Sequence, residues 1–141
     1  MLQVTNNQIK LTAGDTASIE ITIFTSYSDL DDINIPIEEQ IYTLQEGDIM
    51  KFVLLDLNRD GLPVHSNFTD LYNQYISKNY RNLTNPPVLI KEFTDNIVQL
   101  DSVDTKYLNT GTYTYGVVLI TADGQVNTVQ QGEFILTTGF L

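Results

Sequence analysis

The sequence predicts an all-β antiparallel sandwich, and three patterns carry that prediction. In the last third, Tyr113, Tyr115, Val117 and Leu119 hold one parity while Thr112, Thr114 and Gly116 hold the other. That period of two is what a half-buried strand requires. Next comes Ala122-Asp123-Gly124-Gln125, and Asp-Gly is a strong short-range signal for a two-residue hairpin turn. Folding about it sets Thr121 opposite Val126 and Leu119 opposite Thr128, which keeps one apolar face in register across both strands. Near the other end, Ala17, Ile19, Ile21 and Ile23 alternate with Ser18, Glu20 and Thr22, a second half-buried strand.

The remaining elements follow along the chain. Asn6-Asn7 between Val4 and Ile9 predicts a tight hairpin, and Ala13-Gly14-Asp15 predicts a turn. Residues 25–41 are polar, acidic and contain Pro36, and read as a loop or irregular edge. After the punctuation of Glu46-Gly47-Asp48, Met50, Phe52 and Leu54 form one apolar face and Ile49, Val53 and Leu55 another, so this strand is expected to be covered on both sides. Phe68, Leu71, Tyr72, Tyr75 and Ile76 fall at i, i+3, i+4, i+7 and i+8, a helical stripe. Asn67 suits its N-cap, and Pro86-Pro87 ends anything helical. Residues 88–93 and 97–100 read as a strand pair turning at Thr94-Asp95-Asn96. Residues 101–108 read as one helical turn, capped by Asp101 or Ser102, with Leu108 plugging the core, and a last strand is expected near 133–137. Seven to nine short strands with one inserted helix predict an immunoglobulin-like sandwich rather than a barrel. The 141 residues are expected to form one domain, 1–141, with insertions at 25–41 and 57–87.

Composition narrows the function. Seven basic residues against eighteen acidic ones give a net charge of −11, which repels nucleic acid and suits basic partners or divalent cations. The absence of cysteine excludes disulfides, thiolate nucleophiles and Cys-ligated metals. The first residues lack a basic n-region, and no apolar run approaches the roughly 20 residues of a membrane span. The expectation is a protein kept in a cytoplasm or assembled there into something larger, away from membranes.

No catalytic constellation is visible. Asp56-Leu57-Asn58-Arg59-Asp60-Gly61 matches the first half of a calcium loop, but Pro63 stands at its eighth position and Asn67 at the twelfth, where a bidentate Glu belongs. It reads as a turn in which Gly61 supplies positive φ. His65, the one histidine, has no Gly-x-Ser-x-Gly elbow to serve and reads as a surface loop residue. The carboxylates form no specific pair, and there is no Trp for a sugar platform. The expectation is no enzyme, no cofactor and no metal. Tyr72, Tyr75 and Tyr80 lie in the inserted segment, where amphipathic rings suit a protein interface.

Several blocks together resemble a known group. Ile9-Lys10-Leu11-Thr12-x-Gly14-Asp15-Thr16 is similar to the start of small tail-associated proteins of phages and prophages of Gram-positive bacteria. Tyr42-Thr43-Leu44-Gln45-Glu46-Gly47-Asp48 continues the likeness ahead of Lys51-Phe52-Val53. Asp104-Thr105-Lys106-x-Leu108-x-x-Gly111-Thr112-Tyr113-x-Tyr115 and Leu119-x-Thr121-x-x-Gly124-x-Val126-x-Thr128 complete it. The blocks also resemble the N-terminal domain of phage upper-baseplate proteins, an immunoglobulin-like sandwich. The resemblance implies a non-enzymatic virion protein that docks onto other phage structural proteins in the tail or baseplate. A homo-oligomer is then expected, a trimer being natural on a virion axis. Two alternatives stand beside it: a capsid decoration or head-fibre protein, and a soluble carbohydrate-binding or hydrolytic sandwich. The segments 25–41 and 57–87 are longer than the family's loops, and the family brings no catalytic residues.

Overall fold

Alternating apolar residues line a core between two sheets, and a second apolar cluster covers the other face of the larger sheet. The computed structural model describes residues 3–5, 7–23, 42–62, 67–76 and 87–138. Its strands are β1 (Gln3–Thr5), β2 (Gln8–Thr12), β3 (Ala17–Glu20), β4 (Ile49–Leu55), β5 (Leu89–Phe93), β6 (Ile97–Leu100), β7 (Gly111–Ile120) and β8 (Val126–Thr137). Three short helices, α1 (Leu57–Asp60), α2 (Phe68–Ile76) and α3 (Ser102–Lys106), join them. Six strands form one sheet in the order β1-β2-β8-β7-β4-β5, and β3 pairs with β6 in a second. One ladder departs from the antiparallel expectation: β2 runs parallel to β8, with Ile9 opposite Phe134 and Leu11 opposite Leu136. The hairpin expected between Val4 and Ile9 forms, with Thr5 opposite Gln8 and Asn7 in the left-handed region.

The predicted inward faces meet between the sheets. Tyr113, Tyr115, Val117 and Leu119 are buried, as are Ala17, Ile19, Ile21 and Ile23 opposite them. Phe52 stands at the centre, stacked on Tyr115 at 5.5 Å and edge-on to Phe134 at 6.0 Å. Tyr115 is fully buried, so its hydroxyl needs partners. It donates to the Asn7 carbonyl (2.7 Å) and accepts from Gln130 Nε2 (2.8 Å). The other face of β4 is covered too, as its double apolar pattern implied. Val53 and Leu55 pack with Val118 beneath Leu57, Leu62, Phe68, Leu71 and Tyr72.

Three local expectations are corrected. The β7–β8 turn is not a two-residue one. Thr121 N–H donates to the Gln125 carbonyl (3.0 Å) and Gly124 N–H to the Thr121 carbonyl (2.8 Å), with Gly124 at φ +89°. A two-residue type I′ turn requires positive φ at both central residues, and Asp123 does not adopt it. The loop therefore gains one residue, and Val126 faces Ile120 while Asn127 faces Leu119. Val129 is then skipped as a bulge between Val118–Thr128 and Val117–Gln130, and the expected register returns from there to Gly111–Leu136.

The second correction concerns 88–93 and 97–100, which do not pair with each other. β5 joins β4, with Met50 opposite Phe93, and β6 joins β3, with Ile19 opposite Val98. Residues 94–96 are a corner between sheets. Asn96, at φ +64°, turns the chain and is held to the second layer through Ile21, whose N–H donates to its carbonyl (2.8 Å) and whose carbonyl accepts its side-chain amide (3.2 Å). Third, the strand expected near 133–137 is the end of β8, one continuous strand of 12 residues. The segment 25–41 lies outside the described residues.

The 101–108 turn is helical as expected. The Asp104 carboxylate accepts the Asp101 N–H (2.7 Å), and Leu108 packs on the core. Lys91, on the inner face of β5, reaches across to this turn, its Nζ 2.9 Å from Asp104 Oδ2 and 3.3 Å from Asp101 Oδ2. The Asp104 hydrogen bond raises its ammonium pKa against the opposing effect of partial burial, and Asp101 adds to the rise. A raised lysine pKa stabilises the fold fully below the unfolded-state value and stops doing so as pH climbs through the folded one. Lys91→Met should therefore cost about 0.5–1 kcal/mol at neutral pH. Chemical denaturation repeated across alkaline pH should find that cost shrinking as pH rises past the ordinary lysine range toward the raised folded value.

Candidate interaction surface

Between β4 and β5 the chain forms α1 and α2, and the seating of α2 sets what its described residues present. Asn67 Oδ1 accepts the N–H groups of Thr69 (2.9 Å) and Asp70 (3.3 Å), the cap read from the sequence. One turn on, Thr69 Oγ1 meets Thr128 Oγ1 at 2.7 Å and ties the helix to β8. Phe68 lies over Gly116, so close that a Cβ there would fall 2.3 Å from the ring. The helix thus needs a residue without a side chain at that point of β7.

The candidate interface tyrosines separate. Tyr72 is only 2% exposed and belongs to the cluster under α2, so its ring packs within its own chain. Its place at the centre of the i, i+3, i+4 stripe was the signal for this. Tyr75 is half-buried at the rim of the same cluster, and its hydroxyl donates to Asp60. Burial, and then that hydrogen bond, push its phenol well above the usual tyrosine range. Tyr80 lies outside the described residues. Among its described side chains, what α2 and its cap display is polar: Asn67 and Asp70 are exposed, and Asn73 and Gln74 are half-buried.

The segment 56–61 is a capped helical turn. Asp56 Oδ1 accepts the Arg59 N–H (3.0 Å), and Gly61 closes α1 in the left-handed region. The Asp60 carboxylate, 1% exposed, takes Arg59 at two points (2.8 and 2.9 Å) besides Tyr75. Both carboxylates of the half-motif are therefore committed to the protein. Among the described residues no cluster of three or more His, Asp or Glu could hold a metal. Calorimetry with millimolar calcium should give no saturable heat and no change in melting temperature; a single-site titration abolished by Asp56→Ala would contradict this. His65 lies outside the described residues.

Exposed large side chains that were not singled out from sequence lie on α3 and at its C-cap. Val103 is 67% exposed and Tyr107 80%, with Lys106 Nζ 5.4 Å from the Tyr107 ring centroid. Thr105 is buried and Leu108 packs on the core, whereas Val103 and Tyr107, four apart, share the exposed side of the turn. At one end of the sandwich the 42–48 turn meets the β7–β8 tip, Gly47 against Ala122. Asp48 accepts the Tyr42 hydroxyl (2.5 Å) and the Gln45 N–H (2.8 Å) there. Residues 42–48 and 121–125 contain Glu46, Asp48 and Asp123 and no Lys or Arg. No protein-family model matches the sequence, and no curated protein sequence matches it.

Proposed function

We propose that the chain is a non-enzymatic structural protein of a bacteriophage virion, an immunoglobulin-like sandwich that docks onto other virion proteins in the tail or baseplate. The observation that carries this is where the resembling sequence blocks lie. Gly14 N–H donates to the buried Thr105 Oγ1 (3.0 Å), joining the first block to the third. Gly47, at φ +88°, turns the second block against the hairpin tip of the fourth. Motifs far apart in sequence thus meet as one frame, and the inserted α1 and α2 are added to that frame. An immunoglobulin-like topology is supported by the parallel pairing of β2 with β8 and by the B–E-like pairing of β3 with β6. Tyr113 supports it further: its hydroxyl donates to the Asn109 carbonyl four residues upstream (2.5 Å), as in a tyrosine corner.

A helix seated on the sheet offers a partner a fixed polar surface, and less ordering entropy is lost on docking. The acidic charge favours basic partners among the neighbouring virion proteins. The test is to purify particles from a host producing this chain, identify their proteins by mass spectrometry, and locate it by immunogold labelling. Tail or baseplate labelling is the expected result, with light scattering of the isolated chain testing for a trimer. Capsid labelling would move the protein to the decoration role, and absence from particles would overturn the proposal. The highly exposed Tyr107 ring favours a second function, soluble sugar binding. Glycan-array binding lost in Tyr107→Ala would be its mark.

A further inference from the structure

β5 and β6 leave their corner in different sheets, and among the described residues each is paired along one side only. The outward side of β6 follows from its first pair. Because the Asn96 carbonyl accepts the Ile21 N–H, the backbones of Asn96, Val98 and Leu100 face β3, and those of Ile97 and Gln99 face away. The Ile97 N–H accordingly finds a side chain, Asp95 Oδ1 at 3.3 Å, rather than a strand. On this side opens a cleft of about 340 Å³ lined by Lys91, Phe93, Asp95, Ile97, Gln99 and Asp101 among others.

The two edges are not equally protected. On β5 the inward-pointing Lys91 is drawn across to α3, a charge placement that discourages strand addition. β6 carries no proline, no lysine and no bulge, and Ile97 is 44% exposed. Exposed carboxylates stand at both its ends, Asp95 before it and Asp101 after it. Pairing β6 with the β6 of a second copy about Val98 would set Asp95 against Asp101 at each end, a like-charge clash. A strand with basic residues would meet both carboxylates favourably.

We infer that the outward edge of β6 is a strand-addition site for an extended, basic segment of a second protein. The segment hydrogen-bonds to the outward backbones of Ile97 and Gln99, turns apolar side chains toward Phe93 and Val98, and brings Lys or Arg to Asp95 and Asp101. The site does not depend on the virion assignment, since particles containing the chain with this edge unoccupied would leave that assignment standing.

The probe is a capped octapeptide alternating lysine with valine, added to isotope-labelled protein. Slowed exchange and shifted resonances at the Ile97 and Gln99 amides are expected, with no response to the same peptide carrying glutamate for lysine. Gln99→Pro removes an outward N–H without touching the β3 ladder, and should weaken binding at least roughly tenfold. Asp95→Lys, a surface change that leaves the strand intact, should weaken the lysine peptide and admit the glutamate one. Unprotected Ile97 and Gln99 amides, or equal binding of both peptides, would overturn the inference. So would protection that appears with protein concentration alone, which would make a second copy the occupant.

Discussion

Phe52→Ala should lower the unfolding free energy by about 3–5 kcal/mol, a large share of the stability of a domain this size. The side chain is fully buried and sits where the two layers come together, against Tyr115 and Phe134. Its strand is held between β5 and β7 and covered on its other face by α1 and α2, so the walls of the cavity have little freedom to close. Urea unfolding followed by tyrosine fluorescence measures the loss. Ile90→Ala on the exposed face of β5 is the control, expected to change stability by less than about 0.5 kcal/mol. A Phe52→Ala cost below about 1 kcal/mol would mean that the layers do not pack as described.

Gly116→Ala should be nearly as damaging despite adding one carbon. The new Cβ would lie 2.3–2.5 Å from three atoms of the Phe68 ring, and that ring is 1% exposed with no open space to enter. Overpacking of this kind costs about 1–3 kcal/mol, and here the strain acts on the contact that seats α2. The helix should lift from the sheet, with faster amide exchange across Phe68–Ile76 and little change in β2 or β8 far from it. A double-mutant cycle separates this from a general weakening of β7. If the clash is with the ring, Gly116→Ala combined with Phe68→Ala should cost clearly less than the two single changes added together. Additive losses would place the strain elsewhere.

The two variants also divide the molecule by role. Phe52 belongs to the core between the two sheets, whereas Gly116 and Phe68 form the contact that seats α2 on the larger one. Under the proposed function, a folded Gly116→Ala protein with a detached α2 should lose docking to its neighbours while keeping its sandwich spectra.

Much of this was legible from short-range chemistry. Parity at Tyr113, Tyr115, Val117 and Leu119 marked the inward face because side chains alternate strictly along a strand. The double apolar pattern of Ile49–Leu55 marked a strand covered on both sides, and Asn67 marked the start of α2 because its side chain caps the orphan amides of a first turn. Tyr72 shows the limit of residue type as a guide. An amphipathic ring suits an interface or a core equally well, and its position in the helical stripe, not its chemistry, sent it inward.

Most of what remained undetermined from sequence involves residues distant along the chain. Whether 88–93 and 97–100 pair with each other or part company depends on β4 and β3 offering them better partners, and no local signal encodes that choice. The parallel β2–β8 ladder joins Ile9 to Phe134 and could be seen only once both ends of the chain were in place. At the hairpin tip, Asp123-Gly124 specified a turn but not its length. Asp123 kept negative φ, the turn took an extra residue, and a bulge at Val129 restored the pairing that buries Tyr115 beside Phe52. Local sequence determines which face of each element is apolar and where it starts and stops. Partner, direction and register are decided by packing, because each depends on the free energy of burying two distant faces together and not on either face alone.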